Sequence, residues 1–183
     1  MFATRLYEPD QCASLVAQAK RQRGWAVAQI VVESEGRSRD LTLPDTRAAR
    51  ILNRSKTDAT YDDFEQRVRT IIHPLVRQIW EADLPRQEGT QLVRYSPGGH
   101  YVPHRDADEG ELANRYFTVL CYLNDNFEGG KTNFPSLNFT AAPVPGKTLV
   151  FPSRYMHCAE PVTRGEKFVF ITWLCGPVPI KWI

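Results

Sequence analysis

The sequence predicts an α+β chain that is mainly β, with an N-terminal helical layer packed against one sheet of a C-terminal β-sandwich or barrel. Three observations lead there. The first half holds two segments with apolar residues at helical spacing. From residue 90 the texture changes to short β-rich runs, TQLVRYS, RYFTVLCYL, KTNFP, KTLVFPS and KFVFITWLC, separated by Gly, Pro and Asn. No helical pattern intervenes between those runs, which favours a sandwich or barrel. The 183 residues can bury one substantial core, so the expectation is a single domain, 1–183, with its N-terminal layer over 1–88 and its β core over 89–177.

Taken in order, EPDQCASLVAQAKRQ sets Cys12, Leu15, Val16 and Ala19 at helical spacing behind Pro9, which suits a first helical turn. The basic run KRQR at 20–23 reads as a solvated helix end, where cations suit the helix dipole. WAVAQIVVE is rich in β-formers, and SEGRSRD reads as a polar turn between strands. Residues 34–60 are the hardest to assign, and their arginines (Arg37, Arg39, Arg47, Arg50 and Arg54) are read as facing water sooner than lining an entrance. Thr60-x-x-Asp63 resembles a capping box and opens the stripe Phe64, Val68, Ile71, Leu75, Ile79, a long helix bent at Pro74. His73 has no acidic or cysteine companion there and reads as structural.

Composition excludes some functions. A net charge of +2 from 23 basic and 21 acidic residues, interspersed, leaves no footprint for nucleic acid or an anionic membrane. Cys12, Cys121, Cys158 and Cys175 are scattered without a CxxC pair and read as reduced thiols. With no apolar leader region and no run long enough to cross a bilayer, the expected location is cytoplasmic.

The chemistry concentrates in YVPHRDADEG. On a strand, residues two apart share a face about 6.6 Å apart, so His104 and Asp106 can reach one metal ion while Arg105 points away. A lone HxD is weak, and a third ligand on another strand would strengthen it. Of His73, His100 and His157, the best candidate is His157, which sits between two strands and 51 residues beyond Asp106. Two imidazoles and one carboxylate leave open positions on Fe(II) for a bidentate cosubstrate and dioxygen. With zinc, the same ligands retain a position for water and favour hydrolysis. Lys167 lies in the last β-run, where the alternation Lys167, Val169, Ile171 shares an apolar face. Alone it reads as an edge lysine. Pointed into a barrel that holds a metal triad, it suggests a dicarboxylate cosubstrate, because a buried ammonium needs an anion.

YSPGGHYVPHRD resembles the pattern Y-x-x-G-x-x-Y-x-x-H-x-D of the prolyl 4-hydroxylase-like branch of the Fe(II)/2-oxoglutarate oxygenases, at Tyr95, Gly98, Tyr101, His104 and Asp106. FEGGKTNFP, PGKTLVFPS and MHCAEPVTRGEKFVFITWL look like later blocks of the same family, in the same order, over about residues 91–175. The resemblance implies a double-stranded β-helix (jelly-roll) core with the N-terminal helices packed on one sheet. It implies iron ligands His104, Asp106 and His157, and Lys167 pairing the distal carboxylate of 2-oxoglutarate. Thr132 and Tyr122 would neighbour that carboxylate, Tyr95 would bind the cosubstrate near the metal, and Tyr101 and Trp173 would line the pocket. The implied cofactors are Fe(II), 2-oxoglutarate and dioxygen, with ascorbate as reductant. The implied reaction couples decarboxylation of 2-oxoglutarate to hydroxylation of an unactivated C–H bond, and an intact Asp106 favours hydroxylation over halogenation.

The expected substrate is a prolyl or other residue of a peptide or protein, with a free amino acid or natural product as the alternative. A non-catalytic jelly-roll binding protein or a zinc hydrolase would use the same scaffold. The substrate would be gripped by residues 34–60, the acidic loop 107–115 and the turn 124–131.

Overall fold

A computed structural model describes residues 1–34, 37–54, 59–84, 86–107 and 112–177. The first half runs β1 (Phe2–Arg5), α1 (Pro9–Arg21), β2 (Trp25–Val27), β3 (Ile30–Ser34), β4 (Arg37–Leu41), β5 (Arg47–Ala48), β6 (Arg50–Leu52), α2 (Ala59–Arg67) and α3 (His73–Trp80). The β-rich half begins with β7 (Arg86–Tyr95), β8 (His100–His104), β9 (Arg115–Tyr122), β10 (Glu128–Gly129) and β11 (Thr132–Phe134). It ends with β12 (Phe139–Ala141), β13 (Lys147–Pro152), β14 (His157–Ala159), β15 (Val162–Arg164) and β16 (Lys167–Cys175).

Two antiparallel sheets build the core. The larger has the order β1-β13-β9-β16-β7-β6-β2 and the smaller β12-β11-β14-β8-β5. Strict alternation sorts the side chains of the large sheet to two cores. Val93, Tyr95, Leu120, Tyr122 and Val169 point inward against Phe134 and Ala141 of the smaller sheet. Leu92, Phe117, Phe168 and Phe170 point outward against Phe64, Val68, Ile72 and Val76 of the helical layer. The result is the expected jelly roll with helices on one sheet. β1, β2, β5 and β6 come from the first half of the chain and complete both sheets at their edges.

In α1, Pro9 stands in the first turn and Glu8 and Gln11 form a reciprocal capping box that satisfies exposed amides. The second helical segment departs from expectation in two ways. Thr60 lies inside α2, which starts at Ala59, so it is not the N-cap. Between α2 and α3 the backbone makes a π-helical turn, Val68–Ile72, just before Pro74. The wider turn adds a residue and rotates the following stripe by one position. The buried series is therefore Tyr61, Phe64, Val68, Ile72, Val76, while the expected Ile79 is 49% exposed. Pro74, which has no N–H to donate, sits where the regular ladder is interrupted.

Candidate active site

β14 pairs antiparallel with β8 so that His157 lies directly opposite His104, and their ring centroids are 4.3 Å apart. Asp106 lies two residues beyond the end of β8 rather than on the strand. Its backbone N–H and that of Ala107 both donate to Ser153 O, which turns the chain back toward the two rings. The carboxylate reaches both imidazoles, Oδ1 at 3.4 Å from His104 Nε2 and Oδ2 at 3.6 Å from His157 Nε2. Three ligand atoms, one from each residue, lie within 4.8 Å of one another.

The proton positions follow from the hydrogen bonds. His104 Nδ1–H donates to Val102 O at 2.8 Å and His157 Nδ1–H to Tyr155 O at 2.9 Å. Each carbonyl can only accept, so Nδ1 carries a proton in both rings, and both Nε2 atoms face the carboxylate, the position from which a neutral imidazole offers its lone pair. Burial pushes His157 down to about 4, keeping it neutral. Burial disfavours the ionised form of Asp106, but His157, His104 and the Thr118 hydroxyl outweigh it and hold the carboxyl well below the usual range. Thr118 Oγ1 donates to Asp106 Oδ2 at 2.7 Å and lies 3.0 Å from Ser153 Oγ. Two imidazole Nε2 atoms facing a buried carboxylate form a donor set that a divalent cation completes.

Lys167 is 1% exposed, and burial pushes its ammonium down to about 7. It points inward from β16, as the alternation predicts, and donates to Gly130 O at 2.7 Å between the rings of Tyr95 and Tyr122. Among the described residues no acidic side chain forms an ion pair with it, and an ammonium has two further protons to donate. Tyr122 donates to Thr132 Oγ1 at 2.6 Å, which places both hydroxyls in the same buried corner. Gly130 is held at φ +61°, and a Cβ there would come within 2.9 Å of both Phe127 and Val162 and 3.4 Å of Lys167 Cδ. A side chain at 130 would crowd the anchor.

Tyr101 stacks on His104 at 3.5 Å, and Tyr101 and Trp173 both line the cavity over the triad. His73 and His100 lie away from the triad. His73 sits at the start of α3, and the ring of His100 bonds the carbonyls of Gly98 and Asp45. Three cavity residues were not assigned to the site from the sequence. Thr118 shares the inward parity of Leu120 and Tyr122 on β9, which is a legible signal. Arg47 was read as solvent-facing, yet it is 7% exposed, donates to Gln29 O and Gln91 Oε1, and covers the ring of Tyr101. It sits on a two-residue strand, too short for periodicity to reveal. Arg115 lies 3.8 Å over Trp173 and pairs with Glu88 at 2.7 Å. Of the acidic loop 107–115, residues 108–111 lie outside the described residues.

Known proteins resemble the chain in sequence and in fold. Residues 90–175 match the family model described as the 2OG-Fe(II) oxygenase superfamily. The chain is 36% identical over 99 residues to a PKHD-type hydroxylase of Sphingopyxis alaskensis, covering 48% of this chain and 44% of that protein. It is 26% identical over 196 aligned positions to human prolyl 4-hydroxylase subunit alpha-1, covering 87% and 37% respectively. A crystal structure of a Pseudomonas putida prolyl-4-hydroxylase superposes with a TM-score of 0.73 at 20% identity, covering 96% of this chain and 92% of that one. The chain spans less than two thirds of the length of the curated relatives it matches. With the ordered motifs, the facing His104 and His157, and the inward Lys167 on a jelly roll, residues 90–175 resemble the 2OG-Fe(II) oxygenase superfamily, and the chain is similar to its prolyl 4-hydroxylase-like members.

Proposed function

We propose that the chain is an Fe(II)- and 2-oxoglutarate-dependent dioxygenase that hydroxylates a C–H bond of a peptide or protein residue, proline first. The observation that carries this reading is a set of two imidazoles and one carboxylate, with ligand atoms within 4.8 Å of one another, in the same barrel as a buried lysine that has no acidic partner among the described residues.

His104, Asp106 and His157 would hold Fe(II), and Lys167, with Tyr122, Thr132 and Tyr95 around it, would hold the distal carboxylate of 2-oxoglutarate. When bound, iron, 2-oxoglutarate and dioxygen supply an oxidant strong enough for an unactivated C–H bond, with succinate and carbon dioxide as coproducts. The remaining work falls to the chain. The Val102 and Tyr155 carbonyls fix both histidine tautomers, and Thr118 fixes the carboxylate. Leu120, Ile171 and Tyr101 wall the metal pocket with apolar surface that excludes water.

Beside that pocket lies a groove of about 650 Å³ between β3 and β8, lined by Ile30, Val32, Val102, Pro103, Leu112 and Met156. Its apolar walls suit a proline ring. The names of the relatives called prolyl 4-hydroxylase support a prolyl target.

The test is succinate formation from 2-oxoglutarate with Fe(II), ascorbate and a proline-containing peptide, with mass spectrometry of the peptide. A gain of one oxygen on proline in wild type, abolished in His157→Ala, is expected. Turnover that survives metal removal, or a zinc-supported hydrolysis in its place, would sink the reading.

A further inference from the structure

Outside the catalytic barrel, one arrangement of charge is unfavourable as it stands. In the β6–β7 pair, Arg50 lies directly opposite Arg94. Residues so paired point to the same face with Cβ atoms about 5 Å apart, and like charges there repel. The two guanidinium groups do not diverge, because both gather at Trp25. Arg94 covers its ring at 4.6 Å, and Arg50 Nη1 lies 3.5 Å from its carbonyl oxygen. Lys20 adds a third cation. Glu166 is the single carboxylate paired with this group, at 3.4 Å from Lys20 and 3.7 Å from Arg94. Lys20 and Arg94 therefore share one acidic side chain, and Arg50 has no ion pair among the described residues. In addition, Arg94 Nε is buried without a hydrogen-bond partner there.

Arg50 and Arg94 open onto a surface cavity of about 380 Å³ bounded by Val27, Pro44 and the turn at Ser96 and Gly98. No carboxylate lines it, and the third arginine in its wall, Arg47, has its guanidinium committed to Gln29 and Gln91. We propose that Arg50 and Arg94 form an oxyanion site that takes a phosphate group in this cavity. Two planar guanidinium forks match a tetrahedral oxyanion, and its charge converts their repulsion into shared attraction. The hydroxyl of Ser96, in the same wall, is a further available donor.

The test uses the whole protein and inorganic phosphate, followed by melting temperature at constant ionic strength. Wild type is expected to gain stability saturably with phosphate, and sodium chloride is expected not to reproduce the gain. In Arg50→Gln the half-saturating phosphate concentration should rise at least about tenfold, the loss of one charge-assisted contact. In chloride alone that variant should melt about 1–3 °C above wild type, because the opposed pair is gone. Arg94→Gln serves as the second variant, and His157→Ala should keep the wild-type response, separating this cavity from the metal pocket. A phosphoserine peptide titrated in parallel identifies the source: saturation below that of inorganic phosphate points to a phosphorylated protein, and the reverse to free phosphate. An equal response in wild type and Arg50→Gln, or one that chloride reproduces, overturns the proposal.

Discussion

Replacing Lys167 with methionine should make the cosubstrate-free protein more stable. The ammonium is almost wholly buried, has one hydrogen bond, to Gly130 O, and has no acidic partner among the described residues, so burial pushes its pKa from 10.5 to about 7. At pH 7 that depression corresponds to about 4 kcal/mol of disfavoured charging. Methionine fills a similar volume without charge and leaves Gly130 O unpaired, which returns about 1 kcal/mol. The net gain of about 3 kcal/mol amounts to roughly 9 °C in a chain of this size. The sign with pH follows from proton counting. Between the folded pKa of about 7 and the unfolded value of 10.5 the unfolded chain binds more protons, so wild-type stability rises with pH and its deficit against the variant shrinks. Calorimetry of both proteins at pH 7 and pH 9, without cosubstrate, measures this, and 2-oxoglutarate titration should show at least about a hundredfold loss of affinity in the variant. A variant that melts at or below wild type at pH 7 and binds 2-oxoglutarate normally would refute both the buried charge and its assigned role.

Thr118→Val removes the hydroxyl donated to Asp106 and should weaken Fe(II) binding about 10–100-fold in an anaerobic metal titration while leaving the fold intact. Glu88→Gln removes the charge that holds Arg115 over Trp173, and steady-state kinetics should show KM for the peptide rising several-fold with KM for 2-oxoglutarate unchanged. Affinity of wild type for 2-oxoglutarate should fall about tenfold per pH unit above pH 7, as free Lys167 loses its proton, and a pH-independent affinity from 7 to 9 would contradict that assignment. Phe64→Ala, at a fully buried ring stacked 4.5 Å from Phe170, should cost about 3–4 kcal/mol in urea unfolding and leave metal affinity near wild type.

Much of this protein is written in short windows of its sequence. Pro9 and the apolar spacing behind it define α1, and the alternation of Lys167, Val169 and Ile171 decides which way the lysine faces, because backbone geometry alone sets those periods. The spacing of His104 and Asp106 marks two ligands in the same way, although Asp106 reaches the metal position through a bend held by Ser153 rather than along a strand. Tertiary structure decided the rest. His157 becomes a ligand because β14 pairs with β8 in one register, a choice made by burial across some fifty residues. The π-turn at 68–72 moves the buried stripe from Ile71 and Ile79 to Ile72 and Val76, since packing against Phe168 and Phe170 outweighs the regular helical period. Arg47 reads as one more surface arginine until a two-residue strand at the edge of the smaller sheet carries it over Tyr101. Local spacing can say which residues share a face; which face meets which is settled only by the free energy of burying distant segments together.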